Sequence, residues 1–235
     1  MPVETLPIPR EAPWLAGLRA ARANLVPGLI VQGVMLGLLL AYWFYPPTTL
    51  LLNRLALVKE QWGYGYSAVS AILAGALIPE LLRIAVFQKG RIRRNNAGNL
   101  LFTVPFWCGM GVVVDALYRA QAVWFGADAA FPVVAKKVLV DQFIYNPLFA
   151  APFTAILYDW KNRGYGFHRL GSFFTTRYYR EVVVPTLFAT WGVWIPIVTI
   201  LYSLPSLLQI PLFGLALSLW VMLYTWMSER RADAE

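Results

Sequence analysis

The sequence predicts an all-α integral membrane protein, a helical bundle of about six spans plus a short interfacial helix. Hydrophobic residues fill 59% of the 235 positions and charged residues only 14%, with a mean hydropathy of +0.56. A soluble domain carries about 25% charged residues. Apolar runs recur at about the 20-residue length that crosses a hydrocarbon core. Ten Trp and twelve Tyr supply amphipathic rings for the two membrane–water interfaces.

The first apolar run, residues 25–45, ends in Tyr42-Trp43-Phe44-Tyr45-Pro46-Pro47. The aromatics anchor an interface and the paired prolines stop the helix. Arg10, Arg19 and Arg22 precede it. With no small-residue cleavage site after the run, a signal anchor is expected, and Glu4 and Glu11 interrupt any acid-poor transit leader. Residues 48–61 mix Leu50, Leu51, Leu52, Leu55 and Leu57 with Asn53, Arg54 and Lys59, which predicts a helix lying along the membrane surface. Residues 1–62 thus form an N-terminal anchor and interfacial unit, and 63–235 the main bundle. The second span, 65–87, carries Glu80 and Arg83 three apart, on one face and able to pair. The remaining spans are 100–119, 133–158, 182–204 and, beyond Pro205 and Pro211, 212–227.

The net charge of +8 is not spread evenly. Six spans place the N-terminal arginines, the 89–94 cluster, the 161–180 loop and Arg230-Arg231 on one side. Arg54, Lys59, Arg119, Lys136 and Lys137 fall on the other. This bias predicts both termini inside. No nucleic-acid motif accompanies the charge, so membrane lipids are the expected partners and nucleic acid is not. Cys108 is the only thiol and His168 the only imidazole. No intramolecular disulfide can form, and no metal site or cofactor is expected.

The polar residues inside the spans carry the functional reading, because a charge at mid-membrane is tolerated mainly toward other helices or a water-filled path. In the third span Gly111, Asp115 and Tyr118 share a face, with Arg119 beside them. The small Gly109-Met110-Gly111 step suits close helix packing. In the fourth, Lys137 and Asp141 are four apart and read as a neutralising pair, with Gln142 next in line. In the fifth, Trp194 adjoins Pro196, which frees a backbone carbonyl, and Thr199 is placed to compensate it. Each set has a plain packing alternative: helix contacts, a structural ion pair, a bent helix. The pore-lining or gating candidates are Asp115, Tyr118, Arg119, Lys137, Asp141, Gln142, Trp194, Pro196 and Thr199.

Residues 136–147, Lys136-Lys137-Val138-Leu139-Val140-Asp141-Gln142-Phe143-Ile144-Tyr145-Asn146-Pro147, resemble the lysine, aspartate-glutamine and proline signature of the Mpv-seventeen and twenty-two-kilodalton peroxisomal membrane protein family. Matching features follow in order: Tyr178-Tyr179, Trp194 and Pro196, the turn Tyr202-Ser203-Leu204-Pro205, then Trp220, Tyr224 and Ser228. Upstream, Gly111 and Tyr118 match a glycine and a tyrosine of the family. The resemblance spans residues 70–228. Asp115 stands where the family has histidine and Leu117 where it has tryptophan. Ile195 is inserted, and Thr199 and Tyr202 replace a glutamine and an asparagine. The resemblance implies a small organellar membrane protein associated with weakly selective passage of small solutes.

The leading expectation is therefore a multi-pass channel for small metabolites or ions, without catalytic residues and able to self-associate. The alternatives are a structural or assembly factor, and a membrane enzyme acting on a lipid or quinone. One His, one Cys and no recognised motif weigh against the enzyme. The expected membrane is the plasma (inner) membrane in a bacterium, and otherwise the mitochondrial inner or peroxisomal membrane.

Overall fold

The computed structural model describes residues 12–166 and 170–232. Glu4, Arg10, Glu11 and His168, named above, lie outside the described residues, as do the side chains of Tyr224, Ser228, Arg230 and Arg231. The described residues are all-helical. We number the helices α1 (Pro13–Ala23), α2 (Leu25–Phe44), α3 (Pro46–Trp62), α4 (Tyr64–Phe87), α5 (Arg94–Phe125), α6 (131–162), α7 (Thr176–Tyr202) and α8 (Ser206–Ala232).

Five of these, α2, α4, α5, α7 and α8 through Leu223, are long and apolar enough to cross a membrane. The sixth expected span, α6, is not among them. Its 141–147 stretch holds Asp141, Gln142, Tyr145, Asn146 and Pro147, which dilute an otherwise apolar run. It nevertheless runs the height of the bundle. Lys137 at one end stands 5.7 Å from the Tyr202 ring, and Lys161 at the other stands 5.4 Å from the Phe102 ring.

Apolar surface faces outward along the spans, with Leu101 81% and Leu148 74% exposed, as lipid-facing surfaces require. The interior core joins Val31 and Met35 of α2, Leu52 and Ala56 of α3, Val193, Ile197 and Leu201 of α7, and Leu208, Leu212 and Ala216 of α8. Hence α3 is packed onto the bundle by Leu52, Ala56 and Lys59, while Leu50, Leu51 and Leu57 stay exposed. Helices α4 and α5 form an antiparallel hairpin. At Gly111 a Cβ would run into the Ser67 carbonyl oxygen, so the close approach read from the glycine holds there. Gly109 faces open space.

The helices contain widened turns in which each N–H reaches five residues back. They occupy Leu73–Leu77, Arg83–Phe87, Asp141–Ala150 and Tyr179–Val183. Three of the four adjoin or contain prolines: Pro79, Pro147 with Pro152, and Pro185. The wider turn relieves the clash between a proline ring and the carbonyl of the preceding turn. It also leaves carbonyls without donors, and in lipid each needs a partner. Pro147 cannot donate to Gln142 O, which accepts from Trp191 Nε1 at 3.0 Å. Pro152 cannot donate to Pro147 O, which accepts from Tyr179 Oη at 3.0 Å. Two side chains of α7 thus lock α6 in place.

Pro196 repeats the logic with a different partner from the one expected. Its missing N–H frees Gly192 O, which accepts from Gln32 Nε2 of α2 at 2.9 Å. Thr199 donates to Ile195 O at 2.8 Å and is exposed on the outer side of α7. The compensation comes from a neighbouring helix because Gln32 can reach the freed carbonyl across the α2–α7 contact.

Candidate functional site

Two polar clusters occupy the end of the bundle where α5 and α7 finish and α4, α6 and α8 begin. In the first, Asp115 of α5 is buried and fully engaged. Its Oδ2 lies 2.6 Å from both Lys59 Nζ and Ser67 Oγ, and its Oδ1 accepts from Arg119 Nε at 3.0 Å. Lys59 also donates to Gly63 O at 3.0 Å, closing the end of α3. Burial pushes the Lys59 ammonium below the usual lysine range, and the hydrogen bond and charge of Asp115 oppose that shift. Arg119 is half exposed and stacks over the Tyr64 ring at 4.7 Å. This cluster joins α3, α4 and α5, and the sequence reading missed Lys59 and Ser67 as its partners.

The second cluster centres on Tyr202, at the last turn of α7. Its hydroxyl accepts from Gln121 Nε2 at 3.1 Å and donates to Asp141 Oδ2 at 2.7 Å, while Asp141 Oδ1 accepts from Gln142 Nε2 at 2.9 Å. Tyr118 packs on the Tyr202 ring with centroids 4.8 Å apart. Val114, Val134, Val198 and Ile210 wall the group.

The expected Lys137–Asp141 ion pair is absent among the described residues. Asp141 is taken up by Tyr202 and Gln142. Lys137 is 1% exposed, and its ammonium sits 5.7 Å over the Tyr202 ring without a hydrogen-bond partner. Four further buried polar atoms around it lack partners: Tyr118 Oη, Gln121 Oε1, Gln142 Oε1 and Tyr145 Oη. Buried polar atoms are nearly always satisfied, so five unsatisfied ones along one seam leave hydrogen-bonding capacity there unspent.

The structure therefore gathers Tyr118, Lys137, Asp141 and Gln142 of the candidate residues, and adds Gln121, Tyr145 and Tyr202. Asp115 and Arg119 belong to the neighbouring ion cluster. Trp194 packs on Phe213 at 5.7 Å and bridges two apolar cores. Pro196 and Thr199 are exposed on α7 and do not line the cluster. Gln121 was legible from spacing, three residues beyond Tyr118 on the same face. An open groove of about 430 Å³ lined by Trp43, Phe44, Pro46, Thr49, Leu50 and Asn53 lies at the α2–α3 corner and shares no residue with either cluster.

No protein-family model, curated protein or solved structure matches this chain. Its own residues carry the functional argument.

Proposed function

We propose that this membrane protein passes small polar solutes or ions across its bilayer along the polar seam between α5, α6 and α7. One observation carries the reading: the Lys137 ammonium and four other buried polar atoms lack partners in the seam that holds Asp141 and Tyr202, inside an apolar bundle. A purely structural core would satisfy or omit them, because an unmade hydrogen bond in a dry interior costs about 1–3 kcal/mol. The residues assigned to the route are Tyr118, Gln121, Lys137, Asp141, Gln142, Tyr145 and Tyr202, acting as a passive conduit. The resemblance to the Mpv-seventeen family points the same way, and the proposed setting is an organellar membrane or a bacterial inner membrane.

Recording from purified protein in planar bilayers tests the proposal. Conductance is expected, with Asp141→Asn and Lys137→Gln altering its ion preference in opposite directions, since charges near a constriction select by sign. Thr199→Val should leave it unchanged. Silence under all voltages, with correctly folded protein inserted, defeats the proposal.

One observation favours a second reading, an assembly or structural factor. The buried Lys59–Asp115–Ser67 cluster ties three helices together with short contacts. That reading predicts folded protein without conductance, and a loss of function on breaking the cluster alone.

A further inference from the structure

The turn between α4 and α5 gathers cations that have no acid to meet. Lys89, Arg91, Arg93 and Arg94 are all exposed, and no Asp or Glu lies between Glu80 and Asp115. Arg119, Arg163 and Arg177 each have a carboxylate oxygen within 3.0 Å. Among the described residues no ion pair joins any of the four loop cations to an acid. Glu80 is already held, 3.5 Å from Arg83 and accepting from Asn96 Nδ2. Asn96 Oδ1 in turn accepts from the Arg93 N–H at the start of α5. At the other end of the turn the Gly90 N–H donates to Ile84 O at 2.8 Å, with Lys89 and Gly90 at φ 52° and 77°. The loop is fastened at both ends and displays its cations on a defined turn. Its level is set by the spans. Helix α4 ends at Phe87 and α5 starts at Arg94, so the short connection between two crossing helices stays in the headgroup layer beside the hydrocarbon core. Arg94 and Leu101 share a face of α5, and both are exposed, Leu101 by 81%. Leu101 lies about 10 Å deeper along the helix. That step from cation to apolar surface matches the step from a phospholipid's phosphate to its acyl chains. Ile92, 80% exposed between Arg91 and Arg93, sets an apolar side chain at the same boundary.

We propose that Lys89, Arg91, Arg93 and Arg94 form a docking surface for the phosphate of an anionic phospholipid, one of whose chains lies along Leu101. Charge complementarity selects the partner. A cation at the membrane surface strengthens association with anionic lipid about fivefold, whereas a zwitterionic headgroup brings its own cation and gains little. The surface stands whether or not the polar seam conducts.

Purified protein is placed in phosphatidylcholine vesicles with a trace of spin-labelled phosphatidylglycerol or spin-labelled phosphatidylcholine. Electron paramagnetic resonance reads the fraction of each lipid immobilised at the protein, and hence their relative association. The wild type should favour phosphatidylglycerol at least about fivefold, the worth of one surface cation. The preference should shrink between 0.1 M and 1 M salt, where the Debye length falls from about 10 Å to about 3 Å. Lys89→Gln, Arg91→Gln, Arg93→Gln and Arg94→Gln combined should bring the ratio close to one. Arg91→Lys, Arg93→Lys and Arg94→Lys combined, which keep the charge, should retain the preference. Arg54→Gln with Lys136→Gln, exposed cations of the opposite side, should leave it intact. Tryptophan-monitored unfolding verifies that each variant is folded. No preference in the wild type overturns the surface. So does an unchanged preference in the four-glutamine variant, its loss in the lysine variant, or its loss in the Arg54 and Lys136 variant. The bilayer recordings decide the conduit separately, since lipid preference without conductance keeps this surface and rejects the conduit.

Discussion

The Lys59–Asp115 contact offers the sharpest stability test, because both partners are buried and 2.6 Å apart. Removing one member of a buried pair costs about 3–5 kcal/mol, since the other is left charged and dry. Lys59→Met leaves Asp115 with Ser67 and the half-exposed Arg119, so the expected loss is about 3 kcal/mol, the low end of that range. Asp115→Leu leaves Lys59 only the Gly63 carbonyl, and the expected loss is about 5 kcal/mol, the high end. Independent sites would lose the sum, about 8 kcal/mol, in the double variant. Replacing both charges leaves none stranded, and burial already works against the Lys59 ammonium. The double variant should therefore fall short of the sum by at least about 2 kcal/mol. Reversible unfolding in mixed micelles, followed by tryptophan fluorescence, measures all four corners of the cycle. Additivity to within about 0.5 kcal/mol would refute the pairing.

Three further outcomes follow from the geometry. Gln32→Leu orphans the Gly192 carbonyl that Pro196 frees and should cost about 1–3 kcal/mol, whereas Thr199→Val should be nearly neutral; equal losses in the same unfolding assay would contradict the assignment of Gln32. Gly111→Val drives side-chain atoms into the Ser67 carbonyl and should cost about 1–3 kcal/mol, while Gly109→Ala, facing open space, should be tolerated; thermal unfolding of the two compares them directly. In a Cys108→Ser background, single cysteines at Lys89 and Asp128 should be labelled from opposite faces of sealed vesicles, with Lys89 on the cytoplasmic or matrix side. Labelling from one face would break the crossing of α5 that joins them.

The sequence made the helical membrane class plain, since low charge, span-length apolar runs and proline punctuation all point one way. The Glu80–Arg83 pair was legible from i,i+3 spacing and forms at 3.5 Å. What escaped was long-range. The Lys137–Asp141 spacing fits a pair on an ideal helix, but α6 changes its turn at Asp141 and Tyr202, 61 residues away, takes the carboxylate. Lys59 looked like a surface residue because its own segment is amphipathic, and only the fold brings Asp115 to it. Thr199 looked like the natural companion of Pro196, yet Gln32 reaches the freed carbonyl from 160 residues away. Local spacing shows which side chains share a face, and partners on other helices then decide which of those contacts form. By length and composition five helices qualify as spans, and α6, which runs the height of the bundle, falls below them because the polar residues that make it informative lower its apolarity.

The claim that the seam is a route for solutes meets its most direct test in reconstituted vesicles. Phosphatidylcholine vesicles containing the purified protein are loaded with a graded series of small neutral and charged solutes, and release is timed against protein-free vesicles. The account predicts release that falls off with solute size and changes with Lys137→Gln or Tyr202→Phe but not with Thr199→Val. Release no faster than from protein-free vesicles, with the protein shown to be folded and inserted, would contradict it.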